Sequence, residues 1–129
     1  MKKVAMVRKC FAAAVFAAVL LFPATGRAGE ADVLAARAIA ESGGTYRFEV
    51  TVRHADTGWD HYADRFEVLA PDGSVLGVRT LYHPHVAEQP FTRSLSGVQI
   101  PEHLGRVRIR ARDSVHQYGG AAVEVQLQR

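Results

Sequence analysis

Two histidines separated by a proline form the densest group of metal-binding side chains in the sequence. They lie in LYHPHVAEQPFTRSL, residues 81 to 95, as His83, Pro84 and His85. A proline disfavours the helical conformation in the residue before it, so we expect His83 to be extended. In an extended segment, residues i and i+2 point the same way and their bases are about 6 to 7 Å apart. This spacing would let both imidazoles bind one metal ion.

Two further histidines, His61 in TGWDHYAD and His116 in ARDSVH, are candidates to complete the ligand set. Imidazole nitrogens, joined by a neighbouring carboxylate, suit zinc, copper(II) or nickel. Residues 29 to 129 contain no cysteine and no methionine, which argues against a copper(I) site. The sequence therefore predicts a divalent metal site, with zinc or copper(II) as the ion, whose ligands are His61, His83, His85 and His116.

The elements that must position these side chains are indicated by alternation of apolar and polar residues. TYRFEVTVRH and GRVRIRARDS alternate clearly, and HYADRFEVLA, SVLGVRTLYH, FTRSLSGVQI and AAVEVQLQR do so more weakly. Turn sequences separate these segments at intervals of about ten residues. ADVLAARAIAES is compatible with a helix or an edge strand. The pattern predicts an all-β chain, an antiparallel immunoglobulin-like β-sandwich of about seven strands.

Strand direction predicts which loops lie together. Consecutive antiparallel strands reverse direction, so alternate loops must lie at the same end of the sandwich. One end receives HADTGWDHYAD, HPHVAEQP and DSVHQYGG, and the other receives three compact turns. Five of the six histidines fall at the first end: His54, His61, His83, His85 and His116. We therefore expect the four candidate ligands to meet there.

A structural role is the alternative for the same histidines. Long loops lack a ladder of backbone hydrogen bonds, and side-chain bonds to carboxylates or carbonyls commonly fix them in place. Asp60, Asp64 and Asp113 are close enough in sequence to be such partners. In LYHPHVAEQPFTRSL, Glu88 and Arg93 are expected to pair and brace the return of the loop to the core. The sequence leaves both interpretations of the histidines open.

The same loops carry four aromatic side chains: Trp59, Tyr62, Tyr82 and Tyr118. Flat apolar faces with polar edges are typical of glycan-binding surfaces and of protein hot spots. A glycan or protein partner is therefore the second functional hypothesis, in which the histidines are purely structural. The alternative use of these rings is to close the end of the core, with Trp59 and one or two of the tyrosines buried.

Catalysis is not expected. RDSVH contains the residue types of a hydrolytic triad, Asp113, Ser114 and His116, but neighbours on one strand point alternately to opposite faces. The sequence has no nucleophile elbow of the G-x-S-x-G type and no glycine-rich phosphate loop. These features favour a binding or accessory domain, and not an enzyme.

The front of the chain has the layout of a secretory signal peptide over residues 1 to 28. Basic residues precede an apolar run from Cys10 to Phe22, and small residues precede a cleavage point before Gly29. The run is shorter than the roughly 20 residues needed to cross a bilayer. Residues 29 to 129 then form the β-sandwich domain, which we expect to be a periplasmic or secreted monomer without membrane contact.

The charge of the expected mature domain bears on its partners. Residues 29 to 129 contain eleven arginines, no lysine and thirteen carboxylates, so the basic charge of the whole chain comes from its first 28 residues. Nucleic-acid binding is therefore not expected. Alternating arginines in GRVRIRARDS are read as a solvated face that pairs with carboxylates on neighbouring strands. The expected partner is a divalent metal ion or another protein.

Several segments together resemble one family. TVRHADTGWDHYAD, PDGSVLG, LYHPHVAEQPFTRSL and ARDSVH are similar to motifs of a family of small exported bacterial proteins with no assigned function. The resemblance covers nearly all of residues 29 to 129. It implies an exported single domain and brings no activity, ligand or catalytic residue to this chain.

Overall fold

The structure, a computed structural model, describes residues 29 to 128. This part of the chain contains seven strands in two antiparallel sheets. The strands are β1 (Asp32–Ala40), β2 (Thr45–Arg53), β3 (Ala63–Leu69), β4 (Val75–Thr80), β5 (Phe91–Gln99), β6 (Arg106–Asp113) and β7 (Val123–Gln126). One sheet has the order β1-β2-β5 and the other the order β4-β3-β6-β7. The predicted antiparallel sandwich of about seven strands is confirmed.

The position of the fourth strand determines how the seven strands are divided between the two sheets. In constant-type immunoglobulin domains the fourth strand belongs to the same sheet as the first two. Here β4 pairs with β3, so it belongs to the second sheet, and the sandwich has three strands facing four.

The core consists of the inward faces of the clearly alternating strands. In β2 the buried side chains are Tyr46, Phe48, Val50 and Val52, and in β6 they are Val107, Ile109 and Ala111. Each of these strands is central in its own sheet, so their inward faces meet across the sandwich. Phe66 and Phe91 fill the space between them and are also fully buried. The residues that follow β2 and β6 therefore lie at the same end of the core.

The ambiguous segment near the start of the domain is a strand. β1 pairs only with β2 within its sheet, with a register shift between Val33 and Ala35. Val33 is buried, whereas the alanine-rich remainder is largely exposed or half-buried. Such short side chains suit an edge strand, which adds Val33 to the core and packs Ala36 and Ala38 against it.

Three of the four outward arginines of β6 lie near carboxylates of neighbouring strands, as expected. Arg110 bonds to Glu67 of β3 at 2.9 Å, and Arg112 bonds to Asp64. Arg106 lies 3.9 Å from Glu124. Arg106, Arg110 and Arg112 therefore form cross-strand pairs.

The predicted signal peptide, residues 1 to 28, lies outside the described residues. Within residues 29 to 128, no helix has the length and apolar character needed to cross a membrane.

Candidate metal centre

The buried face of β2 continues past the end of the strand and carries two polar residues. After Val50 and Val52, the alternation places His54 and Asp56 on the inward side, and both are buried. Their side chains therefore lie at the end of the hydrophobic core and not in solvent. A polar pair in this position needs internal partners, since burial removes it from water.

His61 is brought back to His54 by a tight turn. The backbone amide of Thr57 donates to the carbonyl of His61 at 3.0 Å, and His61 donates from its own amide to the carbonyl of Gly58 at 3.2 Å. The turn places Nε2 of His61 at 3.2 Å from Nε2 of His54. Two imidazole nitrogens thus face each other at the end of the sandwich.

Asp113 ends β6 on the same inward face and supplies a carboxylate. Its Oδ2 lies 3.0 Å from Nε2 of His61 and 3.9 Å from Nε2 of His54. The backbone amides of Val115 and His116 donate to the same oxygen at 3.1 and 2.8 Å. The other oxygen, Oδ1, is buried and has no hydrogen-bond partner among residues 29 to 128. The cluster His54, His61 and Asp113 therefore joins the ends of two strands from facing sheets.

The charge state of Asp113 follows from these contacts. Burial opposes ionisation, but the amides of His116 and Val115 and the ring of His116 outweigh it, so the pKa of the Asp113 carboxyl lies below its ordinary value. The carboxylate is therefore negative at neutral pH. A negative, fully buried oxygen beside two imidazoles is a favourable setting for a cation.

Two further groups border the cluster. The carbonyl oxygen of Gly29 lies 2.8 Å from Nε2 of His54 and 3.1 Å from Nε2 of His61. Nδ1 of His116 lies 3.1 Å from Oδ2 of Asp113, and the rings of His116 and His61 are 4.9 Å apart at their centroids. His116 is partly exposed, so the group is open to solvent on that side.

Asp56 fixes the orientation of the His54 ring. Its Oδ1 lies 2.5 Å from Nδ1 of His54 and also accepts the amide of Ala63 at 3.0 Å. A carboxylate can only accept, so Nδ1 of His54 carries a proton. In the neutral ring, Nε2 then has a free lone pair directed at the cluster. Carboxylate, histidine and metal arranged in this order are a common form of metal site.

The cluster has more acceptors than protons. With His54 neutral, its Nε2 lone pair faces the Gly29 carbonyl oxygen at 2.8 Å, which places two acceptors in contact. Neutral His61 can supply one proton from Nε2, yet it borders the carboxylate, the carbonyl and the other ring. A further positive charge is required to satisfy these atoms. It is either an additional proton on a histidine or a metal ion.

The predicted pair His83 and His85 occupies a different position. Their rings point the same way, with centroids 4.6 Å apart, as expected for an extended segment. However, the ring of His85 stacks on Phe91 at 4.1 Å, and its Nε2 lies 3.0 Å from Nη2 of Arg93. A guanidinium nitrogen can only donate, so Nε2 of His85 is an acceptor that already has a partner. The contacts recorded for this pair within residues 29 to 128 do not include His61 or His116.

The loops nevertheless meet as strand direction predicts. Asp56 connects them, because its Oδ2 accepts the backbone amide of His85 at 2.7 Å while its Oδ1 holds His54. The amide of Ser114 donates to the carbonyl of Tyr62 at 2.9 Å, which joins the third loop. Of the four predicted ligands, the structure brings His61 and His116 together around Asp113.

Two ligands of the candidate site were not in the predicted set, although the sequence contains a signal for them. His54 is the next inward position after Tyr46, Phe48, Val50 and Val52 of β2. Asp113 likewise follows the buried positions of β6. A polar residue that continues a buried alternation must lie at the end of the core. Neither has the short H-x-H spacing on which the prediction was based.

The aromatic side chains separate into two groups. Trp59 is 67% exposed and Tyr82 is 75% exposed, so the expectation that Trp59 closes the core is wrong. The ring of Trp59 meets that of Tyr62 in an edge-on arrangement, with centroids 5.7 Å apart. Tyr118 lies on the outer face of the second sheet, where its hydroxyl bonds to Glu67 and its ring lies 3.8 Å from the Arg110 guanidinium carbon.

Glu88, Ser114 and the predicted aspartates each have defined partners. Glu88 and Arg93 pair at 3.3 Å, as predicted. The hydroxyl of Ser114 bonds to the amide of Tyr62 and to the carbonyl of Asp60. Of the three aspartates predicted as partners, Asp113 bonds to the rings of His61 and His116, whereas Asp64 pairs with Arg112. Asp56, which was not predicted, bonds to the ring of His54.

The stability of this loop end is expected to depend on pH through His85. Burial, followed by the nearby Arg93 guanidinium and His83, lowers the pKa of the His85 imidazole below its ordinary value. The unfolded chain therefore takes up this proton first as the pH falls, so stability is lost below about pH 6.5 and is fully present above it. Urea unfolding in the presence of EDTA at about pH 7.5 and 5.5 should show a smaller pH effect in His85→Gln than in the wild type. An equal pH effect in both proteins would contradict this assignment.

The chain is similar to a protein of known sequence and to a solved structure. No family model matches the sequence. A protein of Halomicrobium mukohataei described as "Putative lipoprotein" is 40% identical over 96 residues, which are 74% of this chain and 47% of that protein. The chain thus spans about half the length of this relative. A crystal structure of a hypothetical protein from Pyrococcus horikoshii OT3 is 18% identical, with a TM-score of 0.48, and the match covers 81% of this chain and 96% of that one.

Proposed function

We propose that this protein is an exported accessory domain of the cell envelope that binds one divalent transition metal ion. The ligands are His54, His61 and Asp113, and His116 completes the set from the solvent side. The observation that carries this proposal is the convergence of acceptor atoms at the end of the core, where Nε2 of His54 and Nε2 of His61 are 3.2 Å apart.

The distances in the cluster suit a metal ion. Ligands at about 2.0 to 2.1 Å from zinc in tetrahedral geometry are about 3.3 Å from one another. The separations are 3.2 Å between the two ring nitrogens and 3.0 Å between His61 and Asp113. Nε2 of His54 and Oδ2 of Asp113 are 3.9 Å apart, so a small movement would bring both into binding distance of one ion. An ion would also compensate the partly unpartnered carboxylate of Asp113.

The types of ligand limit the choice of ion. Two or three imidazoles and a carboxylate suit zinc, copper(II) or nickel, whereas copper(I) prefers sulfur. Zinc and copper(II) therefore remain the preferred ions. The proposed site retains His61 and His116 from the sequence prediction and replaces His83 and His85 with His54 and Asp113. The Arg93 guanidinium beside His85 is the physical reason for that replacement, since it repels a cation.

The cellular location is part of the proposal. The basic and then apolar layout of residues 1 to 28 is typical of a secretory signal. The 40% identical relative described as "Putative lipoprotein" supports a place in the cell envelope. A binding role is favoured over catalysis because the hydroxyl of Ser114 is engaged with the backbone of Tyr62 and Asp60.

Metal titration of protein prepared without a histidine tag tests this function. The protein is stripped with EDTA and titrated with zinc and with copper(II) by calorimetry. We expect one ion per chain, and stabilisation against unfolding by about 2.7 kcal/mol when free zinc is a hundred times the Kd. The absence of binding tighter than about millimolar would refute the proposal, because such a Kd corresponds to only about 4 kcal/mol.

Recognition by aromatic side chains is the second candidate function. Trp59 and Tyr82 are exposed, and Tyr62 and Tyr82 line a shallow pocket together with Arg65 and Arg112. Exposed aromatic rings beside polar groups are typical of surfaces that bind glycans or proteins. In that case the emission of Trp59 would respond to the ligand, while the purified protein would bind no metal.

A further inference from the structure

The residue that closes the histidine cluster comes from the segment before β1. The carbonyl oxygen of Gly29 is 2.8 Å from Nε2 of His54 and 3.1 Å from Nε2 of His61. These are the same two atoms that the proposed metal site uses. A carbonyl oxygen that contacts both ligand atoms lies within reach of the ion they would share.

The contact cannot be an ordinary hydrogen bond to neutral His54. The proton of that ring is held on Nδ1 by Asp56, so Nε2 has only a lone pair for the Gly29 oxygen. Two facing lone pairs repel, and a cation between them removes the repulsion. The oxygen of Gly29, like the side chains around it, is therefore stabilised by a nearby positive charge.

Glycine is required at this position by both conformation and space. In the chain with residues 1 to 28 attached, Gly29 has a φ of +101°, a region that side-chain-bearing residues rarely adopt. A Cβ at this residue would lie 2.7 Å from Cε1 of His116. The chain thus approaches the histidine rings as closely as a backbone can. Any larger residue would displace either the carbonyl or the ring of His116.

The segment before β1 is also held by contacts between residues 31 to 33 and residues 120 and 121. The amide of Val33 donates to the carbonyl of Ala121 at 2.8 Å, and the amide of Ala121 donates to Asp32 Oδ1 at 2.7 Å. Gly120 lies so close to Ala31 that a Cβ there would be 1.9 Å from its carbonyl oxygen. The first residues of the domain are therefore fixed against the loop that carries His116.

We propose that the carbonyl oxygen of Gly29 is a ligand of the metal ion, so that metal binding fastens the segment before β1 to the end of the sandwich. This inference rests on the proposed metal-binding function and adds a main-chain oxygen to its ligands. Binding is reciprocal: an ion that holds the segment is itself held more tightly when the segment is docked. Release of the ion removes one anchor of Gly29, and displacement of Gly29 lowers the affinity for the ion.

Carbonyl labelling tests the ligand directly in the unaltered protein. The full chain is produced with glycine labelled at the carbonyl carbon, and the Gly29 resonance is assigned by its loss in Gly29→Ala. On addition of one equivalent of zinc, we expect the Gly29 signal to shift, whereas the signal of the distant Gly43 stays in place. If zinc shifts histidine signals but leaves the Gly29 carbonyl unmoved, the inference is wrong and the metal site stands.

A substitution measures the linkage. Gly29→Ala is expected to weaken zinc binding by about tenfold to a hundredfold, the range seen when groups around a metal are lost. The matched control is Gly43→Ala, which has a similarly positive φ of +77° but has no atom within 4 Å of the added Cβ. The control should keep wild-type affinity. Equal affinity of the wild type and Gly29→Ala would overturn the linkage, and absence of zinc binding by the wild type would overturn the proposed function itself.

The spectrum of bound cobalt(II) distinguishes loss of the carbonyl from movement of His116. His116→Ala removes the ring that an added Cβ would strike, so steric effects through this ring are absent in that background. We expect Gly29→Ala to change the cobalt(II) absorption spectrum in both backgrounds, because the oxygen ligand is displaced in each. A change confined to the background that contains His116 would show that Gly29 acts only through packing, and would overturn carbonyl ligation.

Discussion

Replacement of His61 with alanine is expected to remove the stabilisation by zinc while leaving the metal-free domain folded. His61 contributes one of the two imidazole nitrogens that are 3.2 Å apart, and it also lies nearest to the Asp113 carboxylate, at 3.0 Å. Loss of this ligand leaves the ion with one imidazole, the carboxylate and the more exposed His116. We expect the Kd for zinc to rise by at least about a hundredfold, the upper end of the range for loss of an outer-shell group.

The position of His61 makes this test clear. Its side chain is 23% exposed, whereas that of His54 is fully buried, so alanine at position 61 creates little cavity. A loss of binding can therefore be separated from a loss of folding. Without zinc, the variant should lose about 1 kcal/mol of unfolding free energy relative to the wild type, the typical effect of a point substitution.

Matched histidine variants test where the ion binds. His103 is exposed and lies at the opposite end of the sandwich, so His103→Ala should keep wild-type affinity. His83→Ala removes the exposed member of the H-P-H pair and should also leave affinity unchanged. Measurement is by calorimetric titration and by thermal unfolding with and without zinc. Loss of binding in His83→Ala together with full binding in His61→Ala would move the site to the loop of residues 81 to 95.

The fold was predictable because its signal is distributed over the whole chain. The alternation in β2 and β6 has a period that only strands satisfy, and short turns between the segments require antiparallel neighbours. The same reasoning correctly assembled the histidine-bearing loops at one end, where Asp56 joins two of them. The pairing of β4 with β3 was not predictable, since either sheet can accept an edge strand in such sandwiches.

The exact ligand set was less predictable, because it depends on contacts between residues distant in sequence. His83 and His85 do share a direction, as their local spacing predicts. Whether such a pair can bind an ion depends on what faces it, and here Arg93 and Phe91 occupy the ring of His85. His54 and Asp113 were accessible by extending the buried alternation beyond each strand, a rule based on the face of the sheet and not on spacing in a motif.

The Asp56 carboxylate has a structural role beyond its contact with the His54 ring. Asp56 has a fully buried side chain and accepts from the ring of His54, from the amide of Ala63 and from the amide of His85. These donors belong to the end of β2, the start of β3 and the loop before β5. The carboxylate therefore joins three separate segments of the chain, and it orients a proposed metal ligand as well.

Replacement of Asp56 with alanine should consequently produce the largest loss of stability at this end of the molecule. It leaves the His54 ring and two backbone amides without an acceptor, and each unsatisfied buried group costs about 1 to 3 kcal/mol. We expect a total loss of at least about 3 kcal/mol, since three buried groups lose their acceptor. Urea unfolding in EDTA measures this loss without any contribution from metal.

Two comparison variants keep the test of Asp56 interpretable even if Asp56→Ala fails to fold. Asp56→Asn preserves the shape and one acceptor oxygen, but its amide group faces the His85 N–H as a second donor, so we expect an intermediate loss of stability. It should also weaken zinc about tenfold to a hundredfold, because the His54 ring loses its charged partner. Asp72→Ala removes an exposed aspartate from a turn and should cost no more than about 1 kcal/mol. If Asp56→Asn matched Asp72→Ala in stability and the wild type in zinc affinity, Asp56 could not be the residue that holds His54 in place.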